Sequence, residues 1–248
     1  MTESRRRTQS AEGDPGGRQR EDGGVAAILI AAGRSQRMGG ADKLWAELDG
    51  VPLVGWSLRA LAAMADVGEV VVVAPAARHA ALLALAGEAP ASVRCVEGGA
   101  RRQDSVAAGV AAAPGAAWYL VHDAARPLVT AALARSVLAA ARDGSGAAIP
   151  AVAPTDTIKR VDSAGRVVET LDRAWLRAVQ TPQAFAGELL RRAHAEVHAD
   201  VTDDASMVER LGVAVAVVPG DPRNLKVTTP ADLVVARALL AAEREARG

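Results

Sequence analysis

The sequence has a single cysteine, few aromatic residues and no excess of either charge. Cys95 alone excludes an intramolecular disulfide and a metal site built from several cysteines. Its place in the alternating stretch S-V-R-C-V predicts a buried structural thiol. The 29 basic residues equal the 29 acidic ones, so no overall field would draw the protein to nucleic acid or to a membrane. Any anion site must therefore be local.

Long apolar runs are also missing. No stretch approaches the ~20 apolar residues that a membrane helix needs, and the N-terminus lacks the apolar core of a signal peptide. We therefore expect a cytoplasmic protein without membrane spans. Residues 1–24 carry almost no apolar side chains and are predicted to be a disordered tail. Its Arg5–Arg7 run is either solvated or in contact with an acidic partner.

From Val25 onward the hydrophobic pattern alternates between strands and helices. This alternation predicts an α/β fold with a doubly wound, mostly parallel Rossmann-like sheet, formed by residues 25–248 as one domain. Ligands of such sheets bind beyond the carboxyl ends of the strands. The predicted strands are 25–31, 69–74, 92–96, 117–121, 147–152 and 213–218. The predicted helices are 53–65, 77–86, 103–112, 130–142, 187–197, 204–211 and 230–245.

One segment, 153–182, interrupts this alternation. Two short β-like pieces, 157–161 and 166–170, flank the turn sequence D-S-A-G, which predicts a β-hairpin. A lone hairpin is marginally stable in water, so we expect this one to protrude as an arm and to pack against an identical subunit.

The stretch from Ala27 to Leu44 joins a buried strand to a polar loop with three cations. Arg34, Arg37 and Lys43 follow the A-A-G that ends the apolar run, and glycines permit close backbone approach. Loop amides and fixed cations together suit a polyanion such as a nucleoside triphosphate. Both ordinary nucleotide fingerprints, G-x-x-x-x-G-K-[ST] and G-x-G-x-x-G, are absent. The alternative is a solvated basic loop.

Two further motifs follow predicted strands. In H-D-A-A-R-P, Asp123 could hold Mg²⁺ or a sugar hydroxyl and Arg126 could clamp a phosphate; the alternative is a structural Asp–Arg pair. In G-G-A-R-R-Q-D-S-V, the glycines allow approach to a flat base, and Arg102 could pair with a phosphate or with Asp104. The alternative there is a capped helix.

Two motifs lie near the C-terminus. In N-L-K-V-T, Lys226 between apolar residues resembles a strand whose lysine points into a cleft, or else protects a sheet edge. The string Thr202-Asp203-Asp204 is first a helix cap and second a site candidate.

Together these stretches resemble the 2-C-methyl-D-erythritol 4-phosphate cytidylyltransferases (IspD type) of the non-mevalonate isoprenoid pathway. The resemblance covers about residues 25–245, in the order of the family. The residues that carry it are A-A-G-R-S-Q-R-M-G with Lys43, G-G-A-R-R-Q-D-S-V, V-H-D-A-A-R-P, D-T-I-K-R, Asp172-Arg173, Q-T-P-Q, T-D-D-A-S and N-L-K-V-T.

The resemblance implies a nucleotidyltransferase that joins CTP to methylerythritol phosphate and releases pyrophosphate, with Mg²⁺ as cofactor and a homodimer formed through the arm. It assigns catalysis to four cations, with Arg173 supplied by the partner subunit: Arg37, Lys43, Arg173 and Lys226. It assigns CTP binding to Ala31, Ala32, Gly33, Arg34, Gly98, Gly99, Ala100, Arg102 and Ser105. It assigns substrate binding to Asp123, Arg126, Thr157 and Thr181, with Asp123 as a candidate metal ligand.

Two alternatives stay open at this point. The first is a cytidylyltransferase for another polyol phosphate, such as ribitol 5-phosphate, which would share the triphosphate loop. The second is a non-catalytic nucleotide-binding relative, against which the four retained cations argue. The sequence departs from the family at Ala100, where an Asp is common, so we expect base contact there through the backbone.

Overall fold

A computed structural model describes residues 24–32 and 43–246 of the chain. The predicted tail, apart from Gly24, and residues 33–42 of the predicted polar loop lie outside the described residues. The strands are β1 Val25–Ile30, β2 Glu47–Leu48, β3 Val51–Pro52, β4 Val67–Val73, β5 Ser92–Val96, β6 Trp118–Asp123, β7 Ala147–Val152, β8 Lys159–Val161, β9 Val167–Thr170, β10 Ala178–Val179, β11 Gln183–Ala186 and β12 Ala216–Pro219. The helices are α1 Leu53–Ala62, α2 His79–Ala86, α3 Arg102–Ala112, α4 Ala131–Asp143, α5 Gly187–Glu196, α6 Asp204–Arg210 and α7 Pro230–Glu245.

One mixed sheet organises the molecule. Its centre is parallel: β1 lies between β6 and β4, and β5 follows β4. β11 lies antiparallel between β6 and β7, and β12 runs parallel along the far side of β7. The predicted doubly wound, mostly parallel sheet is confirmed, with an antiparallel insertion that the sequence pattern did not indicate.

The two faces of the sheet bury two separate apolar layers. Alternate residues of β1 point to opposite faces, as a pleated strand requires: Ala27 and Leu29 join one core, and Ile28 joins the other. Helices α1, α2 and α4 cover the first face, and α3, α5 and α6 cover the second. Aliphatic side chains fill the first layer, and the fully buried Tyr119 and Phe185 join aliphatic side chains in the second.

Helix starts follow the capping chemistry of the sequence. The Thr130 hydroxyl accepts a hydrogen bond from the backbone of Leu133 at the start of α4, and Asp203 caps α6 in the same way. Pro230 occupies the first turn of α7, whereas Pro52 lies one residue before α1.

The predicted hairpin forms from β8 and β9. The Asp162 carboxylate accepts hydrogen bonds from the backbone of Ala164 and Arg166, and Gly165 adopts a positive φ of 76° in the turn. All residues of both strands are exposed, and the pair forms a sheet of its own. The chain rejoins the main sheet at β10, inside the segment predicted as an arm, and the role of that arm stays a prediction.

Candidate active site

The site lies at the carboxyl ends of the central parallel strands. β6 ends at Asp123, which is in register with Ile30 at the end of β1. The chain then turns, with the Ala124 amide bonded to the Ile30 carbonyl. The buried Ser57 hydroxyl binds the carbonyl oxygens of Ala124 and Arg126, which fixes this turn from helix α1.

A cavity of about 690 Å³ opens above this edge. That volume is typical of small-molecule sites. Its walls come from the end of β1, the start of α3, the turn after β6 and the segment before α7. The lining residues are Ile30, Ala32, Lys43, Leu44, Gly99, Ala100, Arg101, Arg102, Ser105, Asp123, Ala125 and Lys226. Asp123 is the one acidic side chain in this wall among the described residues, so the cavity is strongly cationic.

Asp123 is held between two cations. The Lys226 ammonium donates to its Oδ2 at 2.8 Å, and the Arg102 Nε lies 3.6 Å from its Oδ1. Burial alone would raise the pKa of Asp123, but Lys226 and Arg102 outweigh burial and bring that pKa to about 2. The carboxylate is therefore ionised at neutral pH. The alternative of a structural pair between Asp123 and Arg126 is wrong, because the cations that contact Asp123 are Lys226 and Arg102.

His122 supports the same turn from beneath and is fully buried. Its Nε2 lies 3.2 Å from the Arg126 carbonyl, which can only accept, so Nε2 carries the proton. Its Nδ1 then accepts from the Thr181 hydroxyl at 3.0 Å, and that hydroxyl accepts from the Asp123 amide at 3.0 Å. The network is satisfied with a neutral imidazole, and burial lowers the pKa of His122 to about 4.

This arrangement predicts an acid-sensitive fold. A histidine whose pKa is lower in the folded state stabilises the fold above its ordinary pKa near 6.5, and this stability is lost as the pH falls toward 4. For His122→Asn we expect the free energy of unfolding to depend less on pH in this window, by at most about 1.4 kcal/mol per pH unit. Urea unfolding across the window measures the slope. His198→Asn, at an exposed histidine, is the control, and an equal slope in the two variants would contradict the prediction.

The turn before α3 needs glycine for close packing within the protein. A Cβ on Gly98 would lie 2.4 Å from the Ala32 Cβ, and one on Gly99 would lie 2.2 Å from the Asp104 Cβ. The helix start behind them has a capping box in which Arg101 and Asp104 bind each other. The alternative of a capped helix is therefore correct for α3, while Gly99, Ala100 and Ser105 also line the cavity.

Gly98→Ala is expected to destabilise the protein by about 1–3 kcal/mol, because the new methyl group overlaps the Ala32 side chain at the cavity rim. Gly115→Ala is the matched control, since no heavy atom lies within 4 Å of a Cβ placed there. Chemical unfolding of both variants measures the difference. Equal stability of the two variants would contradict the prediction and would show that the residues around Gly98 can shift to accommodate the methyl group.

A second cavity, of about 390 Å³, lies on the other side of Asp123. Arg102, Asp123 and Lys226 line both cavities. Arg126 and Thr181 line the second one, where the Arg126 guanidinium donates to the carbonyl of Asn224 at 2.8 Å. The buried Nε of Arg126 has no hydrogen-bond partner within residues 24–32 and 43–246, so it could still bind an anion.

The structure brings most of the predicted site residues together and separates two of them. Ala32, Lys43 and eight others line one cavity or both, and Gly98 packs directly behind the rim. Ala31 lies at the same strand end, with its amide bonded to the Val73 carbonyl. Thr157 and Arg173 are exposed on the predicted arm and line neither cavity; the Arg173 guanidinium donates to the Thr155 carbonyl at 2.6 Å. Gly33, Arg34 and Arg37 lie outside the described residues.

Two sequence interpretations need correction. The N-L-K-V-T segment is not a strand; its backbone is joined to the site by the Val227 amide, which binds the Ala125 carbonyl at 2.8 Å. Arg102 does not pair with Asp104, which Arg101 takes instead. Its partner is Asp204, whose Oδ2 accepts from the Arg102 Nη1 at 2.7 Å.

Two amide side chains to which the sequence motifs assigned no role hold the site together. The Asn224 amide donates to the Thr181 carbonyl at 2.8 Å, and Gln180 binds the backbone of Asp221 through both its amide nitrogen and its oxygen. These bonds tie the segment that carries Lys226 to the end of β10. Gln180 lies in the motif Q-T-P-Q and Asn224 in the motif N-L-K-V-T, but neither motif indicates that the two segments are in contact.

Within the described part of the chain, no group of three or more His, Cys, Asp or Glu side chains is arranged for a metal ion. Asp123 offers one carboxylate beside a cationic cavity. Mg²⁺ is commonly bound by one or two carboxylates and by the phosphates of a substrate. The donor set therefore fits a cation that arrives with a phosphate ligand.

No helix in residues 24–32 and 43–246 could cross a membrane.

The sequence matches one protein family and several individual relatives. Residues 25–242 match the family model IspD, described as 2-C-methyl-D-erythritol 4-phosphate cytidylyltransferase. A protein of that name from Nocardia farcinica is 48% identical over 222 residues, which cover 88% of this chain and 95% of the relative. Another from Streptomyces avermitilis is 47% identical and covers 89% of this chain and 93% of the relative.

Solved structures agree with the sequence comparison. The 4-diphosphocytidyl-2C-methyl-D-erythritol synthase from Anaerococcus prevotii has a TM-score of 0.79 at 27% identity, over 89% of this chain and all of that one. The 2-C-methyl-D-erythritol 4-phosphate cytidylyltransferase from Thermus thermophilus has a TM-score of 0.69 at 37% identity, over 86% of this chain and 98% of that one. The chain therefore belongs to the 2-C-methyl-D-erythritol 4-phosphate cytidylyltransferase family.

Proposed function

We propose that this protein transfers a cytidylyl group from CTP to 2-C-methyl-D-erythritol 4-phosphate. A phosphate oxygen of the acceptor forms a bond to the α-phosphorus of CTP. The bond between that phosphorus and the oxygen bridging to the β-phosphate breaks, and pyrophosphate leaves. The products are 4-diphosphocytidyl-2-C-methyl-D-erythritol and pyrophosphate. One observation carries the proposal: in a chain of this family, Lys43, Arg102 and Lys226 line a single cavity at the carboxyl edge of the sheet.

The attacking phosphate is already ionised at neutral pH, so the reaction needs no side-chain nucleophile and no strong base. Catalysis then consists of holding two anions in line and stabilising the charge that develops on the phosphorus and the leaving group. We assign the second task to Lys43 and Arg37, and the positioning of the acceptor phosphate to Lys226 and Arg173. Gly99, Ala100 and Ser105 would contact the cytidine, and Asp123, Arg126, Thr157 and Thr181 the acceptor.

We further propose that Arg173 reaches the site of a partner subunit in a homodimer. Three observations support this. Arg173 lines neither cavity of its own chain, its neighbour Trp175 is 85% exposed, and Val161 and Val167 of the hairpin are 52% and 61% exposed. Apolar side chains this exposed are typical of a surface that another chain covers. Packing of the arm against the partner would place Arg173 at the partner's site and would bury the exposed apolar side chains of the arm.

Mg²⁺ is the proposed cofactor, with Asp123 as a candidate protein ligand. When bound, it would offset the negative charge of the CTP phosphates. The ionised state of Asp123 suits this role, because a protonated carboxyl group would bind the cation poorly. We also propose a cytoplasmic location, since both substrates are multiply charged and do not cross a membrane unaided.

The direct test follows pyrophosphate release in reactions with CTP, Mg²⁺ and a polyol phosphate. We expect turnover with methylerythritol phosphate, little with ribitol 5-phosphate, and loss of turnover with excess EDTA that added Mg²⁺ restores. Phosphorus NMR should show the new diphosphate linkage in the product. Preference for ribitol 5-phosphate would show that the proposed acceptor is wrong. CTP binding without pyrophosphate release would identify a non-catalytic relative.

A further inference from the structure

We propose that Asp204 is a positioning residue for this reaction, acting by holding the Arg102 guanidinium at the boundary of the two cavities. The inference rests on the proposed function and concerns a residue that lines neither cavity. It explains why a carboxylate is buried behind the cationic wall, where an unpaired charge would be costly.

Asp204 is the first residue of α6 and is fully buried. Its Oδ2 accepts a hydrogen bond from the Arg102 Nη1 at 2.7 Å, and its Oδ1 lies 3.7 Å from the His194 Nε2. The latter distance is too long for a hydrogen bond. Among the described residues, Arg102 therefore provides the one charged group at hydrogen-bond distance from the Asp204 carboxylate.

The same guanidinium also faces the reaction site. Arg102 lines both cavities, and its Nε lies 3.6 Å from the Asp123 Oδ1. The other oxygen of Asp123 accepts from Lys226 at 2.8 Å. Charges thus alternate along four side chains, from buried Asp204 through Arg102 and Asp123 to Lys226 in the cavity wall.

Two carboxylates compete for one guanidinium in this row. Asp204 takes the short hydrogen bond, so Asp123 keeps a looser contact with Arg102 and a close one with Lys226. Without the charge of Asp204, Arg102 would move to Asp123 and compete with Lys226 for it. A displacement of about 1 Å in a positioning group can cost about 100-fold in rate. Asp204 would therefore affect the rate without contacting a substrate.

The chain contains a matched control for this pair. Arg101, the neighbour of Arg102, binds Asp200 through its Nη1, also at 2.7 Å. The Asp200 side chain is 84% exposed, whereas that of Asp204 is 1% exposed. Exposed pairs of this kind contribute little. The two variants Asp204→Asn and Asp200→Asn thus remove equivalent bonds from adjacent arginines, one behind the site and one on the surface.

For Asp204→Asn we expect kcat to fall between about 10-fold and 100-fold, while the Kd for CTP rises by less than about threefold. Asp200→Asn should match the wild type in both. Calorimetry with CTP gives the Kd and the number of intact sites, so kcat is expressed per folded site. A merely structural role would lower the melting temperature and the number of sites but leave kcat per site unchanged, and that result would overturn the proposal.

A double-mutant cycle tests whether Asp204 acts through Arg102. Adding Asp204→Asn to Arg102→Gln should cause no further loss of kcat, whereas independent effects would multiply and overturn the proposal. The double variant removes opposite charges together, so it remains informative if Asp204→Asn alone folds poorly. A wild-type protein without turnover would contradict the proposed function instead. In that case, a crystal structure of Asp204→Asn decides: Arg102 at hydrogen-bond distance from Asp123 supports the inference, and an unmoved Arg102 overturns it.

Discussion

Lys226→Ala is expected to lower kcat/KM by about 10²–10³-fold while leaving the fold intact, because it removes a positioned charge from the reaction site. The Lys226 ammonium is fixed by Asp123 at 2.8 Å and faces both cavities, so it can contact the acceptor phosphate and the phosphorus under attack. The Lys226 side chain is 43% exposed, and Arg102 remains beside Asp123 when the lysine is removed. The loss should therefore appear in catalysis and not in stability.

Steady-state pyrophosphate release at varied acceptor concentration measures this effect. We expect a higher KM for methylerythritol phosphate together with a lower kcat, since in the proposed mechanism the lysine binds the acceptor before and during the transfer. Arg223→Gln is the control, because Arg223 lies three residues away in the same segment but pairs with Glu243 at 2.8 Å. Wild-type kinetics for Lys226→Ala, or equal losses in both variants, would remove Lys226 from the mechanism.

The second large effect is rescue between two inactive variants. Arg173→Ala and Lys226→Ala should each be nearly inactive as homodimers. When they are mixed and allowed to exchange subunits, the proposed shared arrangement would give each mixed dimer one site with Lys226 from its own chain and Arg173 from the partner. Half of the dimers would be mixed, so activity should recover to about a quarter of the wild-type value.

This rescue separates a shared site from a site within one chain. If Arg173 served its own subunit, every site in the mixture would still lack one of the two cations, and activity would not recover. The control mixes Arg173→Ala with Arg173→Gln, which cannot restore that arginine in either arrangement. Light scattering during the experiment records the dimer, and a monomer with full activity would refute the shared arm.

The sequence predicted the parts of the fold that depend on local pattern. The parallel strands are runs of small aliphatic residues, as in β4, and the helices begin at capping residues such as Thr130 and Asp203. The antiparallel strands β10 and β11 were missed because they are short, contain or adjoin polar residues and proline, and owe their direction to neighbours in the sheet. Nothing local marks Gln183–Ala186 as the strand between β6 and β7.

The site shows the same division between local and distant information. Motifs indicated Asp123 at the end of β6, Gly98 after β5 and Lys226 before α7, and the structure places all three beside one cavity. The partner of Arg102 could not be identified from motifs, because Asp104 is two residues away in sequence whereas Asp204 is 102 residues away. Pairing across such a separation is decided by the packing of α3 against α5 and α6, which no single segment encodes.

A crystal structure of the protein with CTP and Mg²⁺ tests the central claim most directly. The claim is that Lys43, Arg102 and Lys226 form one wall around the phosphates of a bound nucleotide. We expect the cytosine against Gly99 and Ala100, the triphosphate beside Lys43, and the α-phosphorus facing Lys226. A nucleotide bound elsewhere, or a triphosphate that none of these three cations contacts, would contradict it.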